Sequence, residues 1–321
     1  MNIVIDRRRM LFATGSLAVA GFAAGRAAFA ANKPLVIATS LPSLAFPWYV
    51  HMNQGFQSEA KKLGDITLVN LDGQNSASKQ TADIESAITK KVDAILIAPS
   101  DVDALSPVLA QAIAAGIPVV TVDRQTQGVQ GILYHVGADN VKGGEVQGKA
   151  IMDAFPQGAK IFNLQGQLGS GNAIARSKGM HNVLDQHKDK YKFVFEQTAN
   201  FSQSEALNVT EAGLSGQGKP DVIVTGNDDM ALGAVAALQA RKISDVAVFG
   251  FDAIPEALKL IKSGDMRATI EQYPAEQCAR AARVAVAFLR EGKKPGVTID
   301  LITPTLVTKD NLASAERIGE M

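Results

Sequence analysis

The chain is nearly without cysteine, poor in aromatic residues and free of net charge, and each shortage removes a class of protein. One cysteine, Cys278, in 321 residues excludes an internal disulfide and any metal site built from a cysteine cluster. Its expected place is a small buried position on a helix. The four histidines, His51, His135, His181 and His187, show no metal-ligand spacing. Lys plus Arg and Asp plus Glu both total 32, so no overall field draws the chain to nucleic acid or to an anionic membrane. A neutral small molecule or a protein suits it better as a partner. Neither G-x-S-x-G nor a P-loop occurs, and "GSGNAI" is half of a dinucleotide fingerprint with Ile174 where the third glycine belongs. No metal, no cofactor and no catalytic role are expected. An NAD-dependent enzyme would need a complete glycine fingerprint after the first strand, where "TSLPSLAFPW" has none.

What the chain does have begins with an N-terminal address. In "DRRRMLFATGSLAVAGFAAGRAAFA", Arg7, Arg8 and Arg9 precede a short Gly/Ala-rich apolar stretch that ends in Ala28-Phe29-Ala30, a small-x-small cleavage pattern. Removal after Ala30 is expected, leaving a mature chain outside the cytoplasm. A twin-arginine signal and an ordinary secretory signal both begin this way. A membrane anchor fits less well, because Arg26 interrupts the run and no stop-transfer flank follows. After residue 30 nothing approaches eighteen uninterrupted apolar residues.

From Lys33 onward short apolar runs alternate with longer amphipathic ones. "PLVIATS", "ITLVNLD", "DAILIAPS" and "PVVTVD" read as strands, with helices over Trp48 to Leu63, Ser78 to Lys90 and Asp103 to Ala115 between them. A second series follows: strands "ILYHVGAD", "AKIFNLQG", "YKFVFEQT", "PDVIVTGND" and "VAVFGFD", with helices near 143–155, 173–187, 202–215, 229–240 and 254–263. Near-continuous Val, Ile and Leu in these strands is what burial on both faces requires. It predicts parallel strands joined by crossover helices, hence an α/β fold of two doubly wound parallel-sheet lobes.

In such sheets ligands bind beyond the carboxyl ends of the strands. Polar residues stand at five of those ends: Ser40, Asp123 with Arg124, the loop "QGQLGSGN", Asn227, and Asp252. Asn227, Asp228 and Asp229 could instead cap a helix, and Asp123 with Arg124 could be a local ion pair. Carboxylates, amides and a guanidinium without a nucleophile suit the recognition of hydroxyl groups, each of which both donates and accepts. The C–H face of a sugar ring also wants a flat apolar partner. "LAFPWYV" supplies Phe46, Trp48 and Tyr49 in a chain that is only 6% aromatic, although core packing of the first helix would use them equally well.

"VVTVDRQ", "VGADNVKGG", "NLQG" with its Gly/Ser loop, "VTGNDDMALGAVAALQA", "VAVFGFDAIPEAL" and "RATIEQYP" together resemble the ribose-binding type of periplasmic solute-binding proteins of ABC sugar transporters, in order and over essentially the whole chain after Ala30. The resemblance implies two lobes joined by three crossovers (type I periplasmic binding protein), divided as 31–138 plus 274–302 and 139–273 plus 303–321. It further implies a monomer that closes on a neutral monosaccharide or polyol and delivers it to a membrane permease, with signalling to a chemoreceptor as an alternative. By the same likeness Asp123 and Arg124 contact the ligand from the first lobe and Asn227 and Asp252 from the second, with Phe201, Trp48 and Tyr49 flanking the ring. Three positions depart from the ribose pattern. Phe46 stands near an expected asparagine, in a longer loop that leaves the place of Ser40 open; Ile174 stands at an expected arginine, for which Arg176, about 200° further round the helix, is not expected to substitute; and Tyr273 replaces a hinge glutamine, with Gln272 beside it. Read this way, the pocket loses hydrogen bonds and gains apolar surface, which predicts a ligand with fewer hydroxyls or a larger nonpolar face: a neutral monosaccharide, deoxysugar or polyol, with ribose only one candidate. A sugar-responsive repressor shares such a core but would need a helix-turn-helix where the export signal lies.

Overall fold

A computed structural model describes residues 34–126 and 128–321. The arginine run and the Ala28-Phe29-Ala30 pattern lie outside the described residues. The first sheet is built from β1 (Leu35–Leu41), β2 (Ile66–Asp72), β3 (Ala94–Ile97), β4 (Val119–Val122) and β5 (Tyr134–Ala138), with β11 (Ile299–Ile302) added at its edge. Its order is β11-β5-β4-β3-β1-β2, and every pairing is parallel. The second comprises β6 (Ala159–Gln165), β7 (Tyr191–Thr198), β8 (Val222–Thr225), β9 (Ala247–Phe249) and β10 (Ala268–Glu271), edged by β12 (Thr305–Thr308) in the order β12-β10-β9-β8-β6-β7. Only β12 runs antiparallel, against β10. β3, β4 and β8 are buried along their whole length, which accounts for their unbroken Val/Ile/Leu character.

The strand at Tyr134–Ala138, which sequence order groups with the second series, pairs with β4 in the first sheet instead. Among the described residues the chain crosses between the sheets three times: after β5, between β10 and α9 (Pro274–Glu291), and between β11 and β12. α9 belongs to neither series as read from the sequence, because its alanine-rich run follows the last strong strand signal. It packs against α1 (Pro47–Leu63), where Met52 and Phe56 are fully buried with Cys278 and Ala281 in one core.

Side-chain caps fix where the other helices begin. Ser76 caps α2 (Ala77–Thr89), Asp139 caps α4 (Asn140–Ala154), Ser170 caps α5 (Gly171–Leu184), Ser202 caps α6 (Gln203–Gln217) and Asn227 caps α7 (Asp228–Ala240). Each accepts a hydrogen bond from the amide of its third helical residue, an interaction worth about 1 kcal/mol. α8 (Pro255–Ser263) starts at proline instead, and α3 (Ser106–Ala114) carries Pro107 at its second position. α4 and α5 cross so closely that a Cβ on Gly144 would stand 2.0 Å from the Arg176 carbonyl oxygen, and one on Gly179 would stand 1.9 Å from that of Val141. Only glycine permits this approach, and it seats α5 where Arg176 can reach the space between the sheets.

Candidate ligand-binding cleft

In both sheets the strand order reverses once, between β1 and β3 and between β6 and β8, and loops that follow these strands part there to leave a crevice. The crevices of the two sheets form a single cleft of about 820 Å³. Phe46, Trp48, Tyr49, Asn75, Asp123 and Arg124 line it from the first lobe, and Asn172, Arg176, Phe201, Asn227, Asp229 and Asp252 line it from the second.

Asp123 is the first residue past β4, where the backbone turns left-handed (φ 60°) while its N–H still donates to the Val136 carbonyl at 2.9 Å. The turn aims the carboxylate into the cleft, and Asp is among the residues that tolerate it. Tyr49 Oη donates to its Oδ2 at 3.5 Å, and Asn172 Nδ2 donates across the cleft to its Oδ1 at 3.3 Å. Burial raises the Asp123 pKa, an effect that the Arg124 and Arg176 charges oppose. Arg124 donates to the Ser100 carbonyl at 2.9 Å, and its Nε is a buried donor 3.9 Å from the Asp123 carboxylate without a hydrogen-bond partner. The pair is therefore a loose ion contact and a source of donor and acceptor atoms for something else.

The three residues at the start of α7 divide their work. Asn227 caps the helix through Oδ1, at 3.0 Å from the Met230 N–H, and also lines the cleft with its amide. Asp228 is fully buried and structural: it accepts from the Ile254 N–H at 3.0 Å and from the Thr269 hydroxyl at 2.7 Å. Asp229 faces the cleft, where burial raises its pKa. Capping and cleft lining are thus compatible at Asn227, since the amide has two ends.

Asp252 follows β9 with φ 119° and accepts from Gln272 Nε2 at 2.5 Å and from Arg176 at 3.4 Å. Burial pushes its pKa up to about 7, and the nearby Arg176 charge limits the rise. Arg176 itself is held on all sides. Its Nε donates to Asn140 Oδ1 at 2.8 Å, one terminal nitrogen donates to the Gly226 carbonyl at 2.6 Å, and the guanidinium lies 3.9 Å over the Phe251 ring and 5.9 Å from that of Phe201. Stacking on aromatic faces and forked donation are properties particular to arginine.

Of the expected site residues, Phe46, Trp48, Tyr49, Asp123, Arg124, Phe201, Asn227 and Asp252 all line this cleft. Ser40, Ile174 and Tyr273 do not. Ser40 is fully buried and accepts from Gln80 Nε2 at 3.0 Å, so its hydroxyl ties α2 to β1. Ile174 is 59% exposed, on the outer face of α5. Ala173, Arg176, Met180 and Leu184 form the buried stripe of that helix at spacings of three and four, and this phase puts Arg176 inside and Ile174 outside. The expectation that Arg176 cannot stand in for an arginine at 174 is thereby corrected: it is the guanidinium in the cleft, and the same spacing in the sequence identifies it. Tyr273 points its hydroxyl to Thr305 at 2.7 Å, and its neighbour Gln272, at the crossing between the lobes, donates its amide to Asp252. A guanidinium is therefore present in the cleft at Arg176, Asn75 and Asn172 add amides to its lining, and the buried Gln272 amide backs Asp252 from behind. The expectation of a pocket poor in hydrogen-bonding groups is corrected accordingly. Asn75 and Gln167 sit in loops beside glycines, where no periodicity marks the inward side chain, and Asn172 stands at the second position of α5.

A model of the periplasmic binding protein domain matches residues 37–294. The chain belongs to the periplasmic binding protein family. This binding protein is 40% identical over 271 residues to the ribose import binding protein of Bacillus subtilis, covering 84% of this chain and 86% of that one. It is 35% identical to the D-apiose import binding protein of Paraburkholderia graminis, over 90% of this chain and 91% of that one. The Caulobacter myo-inositol binding protein, solved with myo-inositol bound, superposes with a TM-score of 0.82 at 37% identity, over 90% of this chain and 98% of that one.

Proposed function

We propose that the protein is an exported receptor that captures a neutral monosaccharide or cyclic polyol between its lobes and hands it to an ABC-type membrane permease. The observation that carries this reading is the meeting of Asp123 and Arg124 from one lobe with Arg176, Asn227 and Asp252 from the other around one cleft. Charged acceptors and donors make the strong hydrogen bonds to hydroxyls, and Trp48 and Phe201 offer apolar faces to ring C–H groups. The named ligands of its relatives, ribose, apiose and myo-inositol, are small, neutral and hydroxyl-rich. Closure adds the contacts of the second lobe to those of the first, so the ligand favours the closed form by its extra affinity for it. The amide and guanidinium content of the cleft favours a fully hydroxylated ring over a deoxysugar. The chain emerges as a monomer from residue 31 after removal of its export signal.

A panel of D-ribose, D-apiose, myo-inositol, xylitol and D-allose tested on residues 31–321 checks this. A ligand at 100 times its Kd adds about 2.7 kcal/mol to stability, enough to raise the Tm by several degrees. A flat response to every member, with no heat in calorimetry, contradicts the proposal.

The raised pKa of Asp252 adds a pH signature. A hydroxyl that donates to Asp252 favours its charged form, so binding lowers the pKa from about 7 and releases a proton. Affinity should therefore rise with pH up to about 7 and level off above it; from pH 7 to pH 6 it should fall about fivefold by proton linkage. Calorimetry in buffers of different ionisation enthalpy measures that proton directly. A pH-independent affinity with no proton release would remove Asp252 as an acceptor of a ligand hydroxyl.

A further inference from the structure

The C-terminal segment after β12 is anchored on the second lobe, where Ala315 with Leu312 and Ile318 packs on Leu258 and on Ala253, the neighbour of Asp252. From this base Glu316 reaches the hinge. Its Oε2 accepts the Ala275 N–H at 2.8 Å and its Oε1 accepts the Glu276 N–H at 3.1 Å, both first-turn amides of α9. α9 has no side-chain cap of its own, because Tyr273 at its start is left-handed (φ 57°) and turned away. A carboxylate from 41 residues further along the chain replaces that cap. The same Oε2 lies 3.2 Å from Nε2 of the buried His51 on α1, whose Nδ1 stands 2.7 Å from a Glu320 carboxylate oxygen.

Glu271 completes the arrangement. Its Oε1 accepts the Gln272 and Tyr273 N–H groups, each at 2.8 Å, and its Oε2 accepts the Glu316 N–H at 2.8 Å. Two carboxylates thus take up the amides on both sides of the 272–273 crossing between lobes. The side chain that hangs from this crossing is Gln272, 2.5 Å from Asp252.

We propose that Glu316 is a positioning residue for the cleft: with Glu271 it sets the backbone at the lobe crossing so that Gln272 stands against Asp252, and through His51 it ties the tail of the second lobe to α1 of the first. Its effect on affinity rests on the sugar-binding reading, whereas its effect on the hinge does not.

Two measurements separate these. Amide exchange followed by NMR in the ligand-free protein should show Gln272, Tyr273, Ala275 and Glu276 exchanging at least about tenfold faster in Glu316→Ala, with β8 and β9 unchanged. Glu316→Gln keeps a carbonyl acceptor and should restore much of that protection. If the alanine variant does not fold, Glu316→Gln carries the test, because its single carbonyl oxygen can accept only one of the Ala275 and Glu276 N–H groups and the other should still exchange faster. Titration with D-ribose and with myo-inositol should show about tenfold weaker binding in Glu316→Ala, and in a Gln272→Ala background that loss should shrink below about threefold, as it must if one residue acts through the other. Unchanged exchange at the four amides, or an undiminished loss in the Gln272→Ala background, overturns the assignment. If neither sugar binds the unaltered protein, the functional reading fails for those sugars and the exchange result alone decides the role at the hinge.

Discussion

Replacing Asp252 should weaken sugar binding at least a hundredfold while leaving the fold intact. Asp252 is the acceptor on which Gln272 and Arg176 converge, so a ligand hydroxyl bound there joins a charged, hydrogen-bonded cluster. Loss of charge-assisted hydrogen bonds, at about 1.5–3 kcal/mol each, exceeds a hundredfold once two are gone. The native fold depends little on this carboxylate in its ionised form, because burial already disfavours the charge. With its pKa raised above the unfolded value, the folded state holds more protons between about pH 4 and pH 7. By that linkage Asp252 contributes less stability as pH rises through this window, and its removal near pH 8 should cost little. Asn is the cleaner substitution, since the backbone at φ 119° suits Asp and Asn better than Ala. Asp252→Asn should lose most of the affinity together with the pH dependence below 7. An affinity within a few-fold of the unaltered protein, by calorimetry, would remove Asp252 from the site.

Much of the molecule was legible in the sequence for a definite reason. Strands buried on both faces must be continuously apolar, and a parallel sheet must end its strands where ligand loops begin. Asp123, Asn227 and Asp252 stand one or a few residues beyond such runs, so pattern alone placed them on the cleft side. Ser40 shows the limit of that rule, because the side chain just inside a strand end alternates between cleft and core. Here it points to Gln80. α9 was missed because its signal is helical periodicity in an alanine-rich stretch with no strand following closely. The carboxylates Glu271 and Glu316 at the crossing between the lobes were invisible for another reason. Their partners are backbone amides, which carry no sequence signature, and in one case they lie 45 residues away.

Arg176 offers the sharpest contrast between a residue and its neighbour two positions earlier. Residues two apart on a helix point about 200° away from each other, so Ile174 and Arg176 cannot share a role. Arg176 is bonded to Asn140, the Gly226 carbonyl and Asp252 and stacked on Phe251, whereas Ile174 faces outward. Ile174→Arg should accordingly leave sugar affinity within about twofold, as substitutions on an open helix face usually do. Arg176→Leu should lose binding by a hundredfold or more. It should also lower stability by about 2–4 kcal/mol, because the Asn140 amide oxygen and Gly226 carbonyl lose their donor and Asp252 loses its counter-charge in a buried setting. Arg176→Lys should recover part of the stability and little of the binding, since an ammonium cannot reproduce both the planar stack on Phe251 and the forked donation. Denaturation midpoints and calorimetric titration of the four proteins measure both quantities. Equal losses at positions 174 and 176 would mean that the helix phase, and with it the cleft drawn from it, is wrong.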